Sequence, residues 1–159
     1  MNICFPISFY DNKNLFFSDP KKNIIMDGKF TKILYSNELI SINGVYLKTP
    51  FKINNVNRVL NKHYIKFYPD LSSNMNIINS LIKIEKEIID YYCVIFNCKK
   101  KPVFILKEQM LSGNLKIYRD NNSIYYDNEP NYIIKISGVW EDKEYIGITY
   151  KLFQTCSFT

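Results

Sequence analysis

The chain has 159 residues, a formal net charge of +6, 47% hydrophobic and 23% charged residues, a globular balance that excludes a disordered polyelectrolyte. No apolar run reaches the roughly 18–20 residues that a membrane-spanning helix needs. The opening Met1-Asn2-Ile3-Cys4-Phe5-Pro6 lacks the basic region and apolar stretch of a secretory leader, so the expectation is one intracellular domain over residues 1–159 with no membrane partner.

Residues 1–28 read as irregular, with aromatic patches at Phe9-Tyr10 and Phe16-Phe17 and a turn at Ser18-Asp19-Pro20. A strand is expected at Phe30–Tyr35 and a turn at Ser36-Asn37-Glu38. Asn43-Gly44 separates Leu39–Ile42 from Val45–Lys48, the pattern of a type I′ hairpin whose two turn residues need positive φ. Residues 30–49 are thus expected as a three-stranded meander. Asn54–Lys62 stays open between a loop and a short helical turn, Tyr64–Tyr68 alternates as a strand, and Pro69 ends it.

Residues 75–96 carry the one strong helical period, with Ile78, Leu81, Ile82, Glu85, Ile88, Ile89, Tyr92 and Ile95 on one face. Ser72, Ser73 or Asn74 offers an N-cap. Asn97 and Lys99–Lys101 suit the C-terminal end, and Pro102 prevents continuation. Val103–Lys107 and Asn114–Tyr118 are then expected as a hairpin through Gly113, followed by a polar loop at Asp120–Glu129. The last hairpin pairs Tyr132–Trp140 with Tyr145–Phe153; its second arm sets Ile146, Ile148, Tyr150 and Leu152 on one face against Thr149 and Lys151 on the other. The expected fold class is α+β, mostly β: a curled antiparallel sheet or an OB-like barrel, with one long amphipathic helix inserted between two β groups.

Charge is uneven along this order. Residues 29–68 hold seven basic residues and one acidic, and residues 97–119 hold six and one, whereas 69–96 nets −2 and 120–159 nets −3. Clustered lysine and arginine bind phosphates by counterion release, and single-strand binders add rings on which bases stack. The basic segments contain both, so the candidate nucleic-acid-binding residues are Lys32, Tyr35, Tyr46, Lys48, Phe51, Lys52, Arg58, Lys62, Tyr64, Lys66, Lys99, Lys100, Lys101, Lys107, Lys116, Tyr118 and Arg119. Two facts compete with that assignment. Alanine is absent and arginine occurs only twice, a bias of AT-rich coding sequence that inflates Lys, Tyr and Phe together, and aromatics are ordinary strand residues. Placement decides: a groove shared by Lys32, Lys48, Lys66, Lys107 and Lys116 marks a binding face, whereas dispersal marks solvent-facing charge on a structural or host-interaction protein.

No catalytic, metal or cofactor constellation stands out. Cys4, Cys93, Cys98 and Cys156 form no C-x-x-C pair and read as free thiols. His63 is the single histidine, and the five glycines are too isolated for a phosphate loop. Pro69-Asp70 with Glu141-Asp142-Lys143 spells a metal-dependent nuclease pattern, a cheap match in a chain this rich in lysine and glutamate. Lys99-Lys100-Lys101-Pro102 fits helix-end charge better than an import signal, and Trp140 fits a core anchor better than a base-stacking ring.

Ile134-Lys135-Ile136-Ser137-Gly138-Val139-Trp140-Glu141, followed by Gly147-Ile148-Thr149-Tyr150-Lys151-Leu152, resembles a pattern in single-stranded DNA-binding proteins of large DNA viruses, which are themselves similar to the T7-type phage single-stranded DNA-binding protein. The resemblance covers the last hairpin. It implies an OB-fold that coats displaced DNA strands during viral replication, recombination or transcription in the host cytoplasm or nucleus; RNA as a ligand, self-association, and replication proteins as partners stay open. The chain departs from the phage pattern at Gln154-Thr155-Cys156-Ser157-Phe158-Thr159, where no acidic tail precedes the near-terminal aromatic. The expected function is therefore non-enzymatic, sequence-tolerant single-strand binding without a cofactor. Its surface is expected in the two basic segments, away from the acidic last hairpin.

Overall fold

Apolar residues at helical spacing place one long helix, α1 (Ser72–Phe96), against a curled sheet. The computed structural model describes residues 3–118 and 131–155; Arg119, the loop Asp120–Glu129, Cys156 and Phe158 lie outside the described residues. Before α1 come β1 (Phe5–Pro6), β2 (Leu15–Phe17), β3 (Lys21–Lys22), β4 (Lys29–Ser36), β5 (Ser41–Asn43), β6 (Val45–Lys48), β7 (Ile53–Val59) and β8 (Lys62–Phe67). After it come β9 (Lys101–Pro102), a second helix α2 (Ile105–Ser112), β10 (Asn114–Tyr118), β11 (Asn131–Glu141) and β12 (Tyr145–Thr155). The fold is α+β and mostly strand, with the long helix between two strand groups, and the curled sheet does not close.

The main strand order is β1-β6-β11-β12-β10-β8-β7. The last hairpin is its centre: β11 and β12 pair antiparallel from Asn131↔Thr155 to Glu141↔Ile146, with a bulge between Ile136 and Gly138. Each of these two strands shares its outer edge between two partners. β11 takes β6 along Ile133–Ile136 and β4 along Gly138–Glu141. β12 takes β9 in parallel at Tyr145–Ile146 and β10 in parallel at Leu152–Phe153. The inward-facing alternates Ile134, Ile136, Val139, Ile146, Ile148 and Leu152 share one core with Ile78, Leu81, Ile88, Ile89 and Tyr92 of α1.

Four local expectations are corrected by long-range pairing. Residues 1–28 are not irregular throughout, because β1 pairs with β6, and β2 and β3 pair with β4. The hairpin through Asn43-Gly44 does not form: β5 pairs with β4, whereas β6 pairs with β1 and β11. Gly44 (φ 98) bends the chain there without reversing it, and a Cβ on it would lie 2.8 Å from the Ile136 carbonyl oxygen. The turn before β5 is as expected, with Asn37 Oδ1 accepting the Leu39 and Ile40 N–H groups at 2.9 and 3.0 Å. Asn54–Lys62 is neither loop nor helical turn, because β7 and β8 form a hairpin there. Val103–Lys107 is not a strand: the chain turns into α2, and Asn114–Tyr118 pairs instead with β8 and β12.

Both helices are tied down by buried polar side chains. Asn74, expected as a possible cap for α1, points inward: Oδ1 accepts the Lys52 N–H at 2.8 Å, and Nδ2 donates to the Lys52 and Tyr68 carbonyls, each at 3.0 Å. Asn97 ends the helix in the left-handed region (φ 49). Glu85, on the apolar stripe of α1, is fully buried, and its carboxylate accepts the Leu106 and Lys107 N–H groups at 2.9 and 2.8 Å. Those are orphan donors at the start of α2, so one helix caps the other.

Candidate nucleic-acid interface

Strand registers bring side chains from distant segments into one row. Tyr46 of β6 is the partner of Lys135, Lys135 of Lys151, Lys151 lies beside Lys116 through the Ile117↔Leu152 pairing, and Lys116 is the partner of Tyr64. Their sequence neighbours Leu47, Ile134, Leu152, Ile117 and Ile65 are buried, so period-two alternation turns the row to the outer face. Three lysines thus stand side by side across three strands. At roughly 6 Å in a water-like dielectric each adjacent pair costs about 0.7 kcal/mol. Rings offset part of this: Lys116 and Lys151 sit 4.5 and 5.0 Å from the Tyr118 ring centre, and Lys135 lies 5.0 Å from that of Tyr46. An exposed cation–π contact supplies about 0.5–1 kcal/mol, enough to tolerate the row but not to neutralise it.

A groove of about 1110 Å³ opens where the row meets the β12 edge between β9 and β10. Lys21, Lys22, Lys32, Lys116 and Lys151 line it, with Phe30, Tyr118, Trp140 and Tyr150, and no carboxylate is among its lining residues. None of these lysines, nor Lys135, takes part in an ion pair among the described residues. From the α2 side, Ile105 and Gln109 reach the groove, and the Tyr150 hydroxyl donates to Gln109 Oε1. Burial, with the charges of Glu85 and Tyr118, pushes the Tyr150 phenol above its ordinary range and keeps it a donor.

Two glycines seat the floor rings. Phe30 and Trp140 are cross-strand partners. A Cβ on Gly138 would lie 2.5 Å from Phe30 Cζ, and one on Gly147 would lie 2.7 Å from Trp140 Cζ2. The indole Nε1 donates to the Ile148 carbonyl at 3.2 Å, which fixes the ring on β12 while its residue stays part-exposed in the groove. Gly138→Ala would also set a Cβ 2.4 Å from the Thr31 carbonyl oxygen, backbone that cannot swing aside. It is expected to destabilise the fold by about 3 kcal/mol, read as a lower denaturant midpoint; an unchanged midpoint would refute this account of the β4–β11 contact.

The expected residues divide into three groups. Lys32, Lys116 and Tyr118 line the groove, and Tyr46, Lys62, Tyr64 and Lys66 flank it on the same face by register. Lys48 lines a separate cleft of about 670 Å³ beside α1, and Lys52, Arg58, Lys99, Lys101 and Lys107 are exposed but do not line the groove. Of the five lysines whose placement separates a binding face from dispersed charge, Lys32 and Lys116 share the groove and Lys66 lies on its face, whereas Lys48 and Lys107 lie elsewhere, so the set is neither gathered in one groove nor fully dispersed.

Two expected rings are buried. Tyr35 is 2% exposed and stacks between Phe5 and Tyr10, and Phe51 is 8% exposed and stacks on Phe67 at 4.9 Å, so neither ring can reach a base. Lys100 is engaged by Glu141 at 2.9 Å. Burial would raise that carboxyl, but Lys100 holds it below the usual range.

Sequence reasoning overlooked Lys21, Lys22, Phe30, Lys135 and Lys151. The net charge of residues 120–159 concealed the last two, although the alternation of β12 already set Lys151 opposite the apolar face.

The nuclease pattern does not assemble. Asp70 precedes the first turn of α1, whereas Glu141 meets Tyr92, twenty residues into the helix, a span of about 30 Å at 1.5 Å per residue. Among the described residues no three His, Cys, Asp or Glu side chains gather as a metal ion requires. No family model, curated protein or solved structure matches the chain.

Proposed function

We propose that this face binds single-stranded nucleic acid, with phosphates on the lysines and bases against the groove rings. The observation that carries the reading is the unneutralised row Lys135-Lys151-Lys116, flanked by Tyr46 and Tyr64 and opening into a groove floored by Phe30 and Trp140. Adjacent like charges oppose folding, and a polyanion laid across them turns that repulsion into attraction. Rings with accessible faces add sequence-tolerant stacking. The likeness of the last hairpin to viral single-stranded DNA-binding proteins supports the same reading and suggests a place in viral replication, recombination or transcription.

The lone tryptophan, Trp140, makes the groove its own reporter. Titration with oligo-dT is expected to quench its fluorescence. If four to six phosphates are neutralised, log K should fall against log salt with a slope of about −3 to −4. Tight binding to duplex alone, or no binding at low salt, would refute the reading.

A further inference from the structure

One wall of the groove is apolar and unusually bare. Ile24 and Ile25 are 99% and 96% exposed, the highest values among the described large apolar residues. They line the groove together with Met26, beside Lys21 and Lys22 and facing the same space as Phe30 and Trp140. The loop that carries them is braced. The Asn23 N–H donates to the Gly28 carbonyl at 2.9 Å, the Ile25 N–H donates to Asn23 Oδ1 at 3.0 Å, and Asp27 pairs with Lys143 at 3.7 Å. Two adjacent isoleucines held out into water gain nothing from folding, and exposed apolar clusters of this kind mark contact sites.

Building on the single-strand reading, we propose that Ile24 and Ile25 pack on the nucleobases of an unpaired strand and select base-bearing single strands over duplex and over base-free polyanions. The occupant follows from continuity with the groove. Its cationic wall suits phosphates, its floor is aromatic, and a ligand that also covers isoleucine must carry flat apolar groups beside its anions. An unpaired strand presents those groups; a duplex keeps them stacked inside, and apolar side chains reach them only by prising base steps apart.

The test compares wild type with Ile24→Ser/Ile25→Ser, both exposed positions at which the core is untouched. Affinities are measured at one salt concentration for oligo-dT, for an abasic deoxyribose-phosphate oligomer of equal length, for duplex, and for phosphatidylserine vesicles. Wild type is expected to prefer oligo-dT over the abasic oligomer by about tenfold or more. The double variant should lose about tenfold on oligo-dT, keep its abasic affinity, and show the same salt slope. Unchanged oligo-dT affinity in the variant, equal losses on dT and abasic oligomers, or a loss confined to vesicles would overturn the inference while leaving the single-strand reading in place. Failure of wild type to bind oligo-dT at low salt would overturn both.

Discussion

Replacing Lys116 and Lys151 together by glutamate is expected to weaken oligo-dT binding by at least about a hundredfold while changing the stability of the fold by less than about 1 kcal/mol. The two residues are neighbours in the middle of the lysine row, and both ammonium groups approach the Tyr118 ring. Reversal removes two phosphate contacts and adds two repulsions, each worth about 1 kcal/mol near the surface. The fold responds far less. Lys135 is the cross-strand partner of residue 151, so a glutamate there converts a repulsive pair into an attractive one, worth about 0.2–1 kcal/mol. Loss of the two contacts with Tyr118 and the like-charge pair that residues 116 and 151 still form cost a similar amount, so binding collapses while stability stays nearly constant, which misfolding cannot imitate. Fluorescence titration and thermal melting on the same samples read both, and undiminished binding would remove the lysine row from the interface.

The second large effect lies beneath the groove. Glu85→Ala is expected to destabilise the protein by about 2–4 kcal/mol, because it strips two backbone donors of α2 of their acceptors in a buried setting and leaves a void. Since α2 carries Ile105 and Gln109 to the groove, the surviving folded fraction should also bind oligo-dT less well. The same residue gives the stability a pH dependence. Burial, outweighing the two backbone hydrogen bonds and Lys107, raises the Glu85 carboxyl above its ordinary value. A raised folded value means that the native state holds the proton longer than the unfolded chain does. The corresponding stability is full below the ordinary glutamate pKa and declines as pH climbs through the raised one. Melting curves of wild type and Glu85→Gln should therefore separate across that window, wild type losing ground with rising pH. Parallel curves would show that the residue does not titrate there.

What the sequence discloses and what it hides follow the range of the forces involved. α1 is legible because its apolar stripe repeats within one segment, and Glu85 on that stripe was itself a signal that a polar group had business in the core. The last hairpin is legible for the same reason: its alternation is local and long. Asn43-Gly44 misleads because turn propensity is weaker than the pull of β11 on β6. Val103–Lys107 misleads because a β-prone run becomes helical once a carboxylate some twenty residues earlier caps it. The interface is half legible. Charge counted by segment finds Lys32 and Lys116 but cannot find Lys135 and Lys151, whose segment is acidic in sum while one of its faces is basic.

The hairpin at the middle of the sheet is also the last part of the described chain to be made. β4, β6, β9 and β10 each border a central strand that follows them in sequence. A nascent chain that has emerged only as far as β10 therefore carries four strand edges that lack their β11 or β12 neighbour and an apolar helix stripe with little to cover it. Such edges invite pairing with other chains, and the closures that retire them are long-range and slow. Folding on the ribosome thus waits for β11 and β12, and a cell that makes this protein quickly is expected to need chaperones most during that interval.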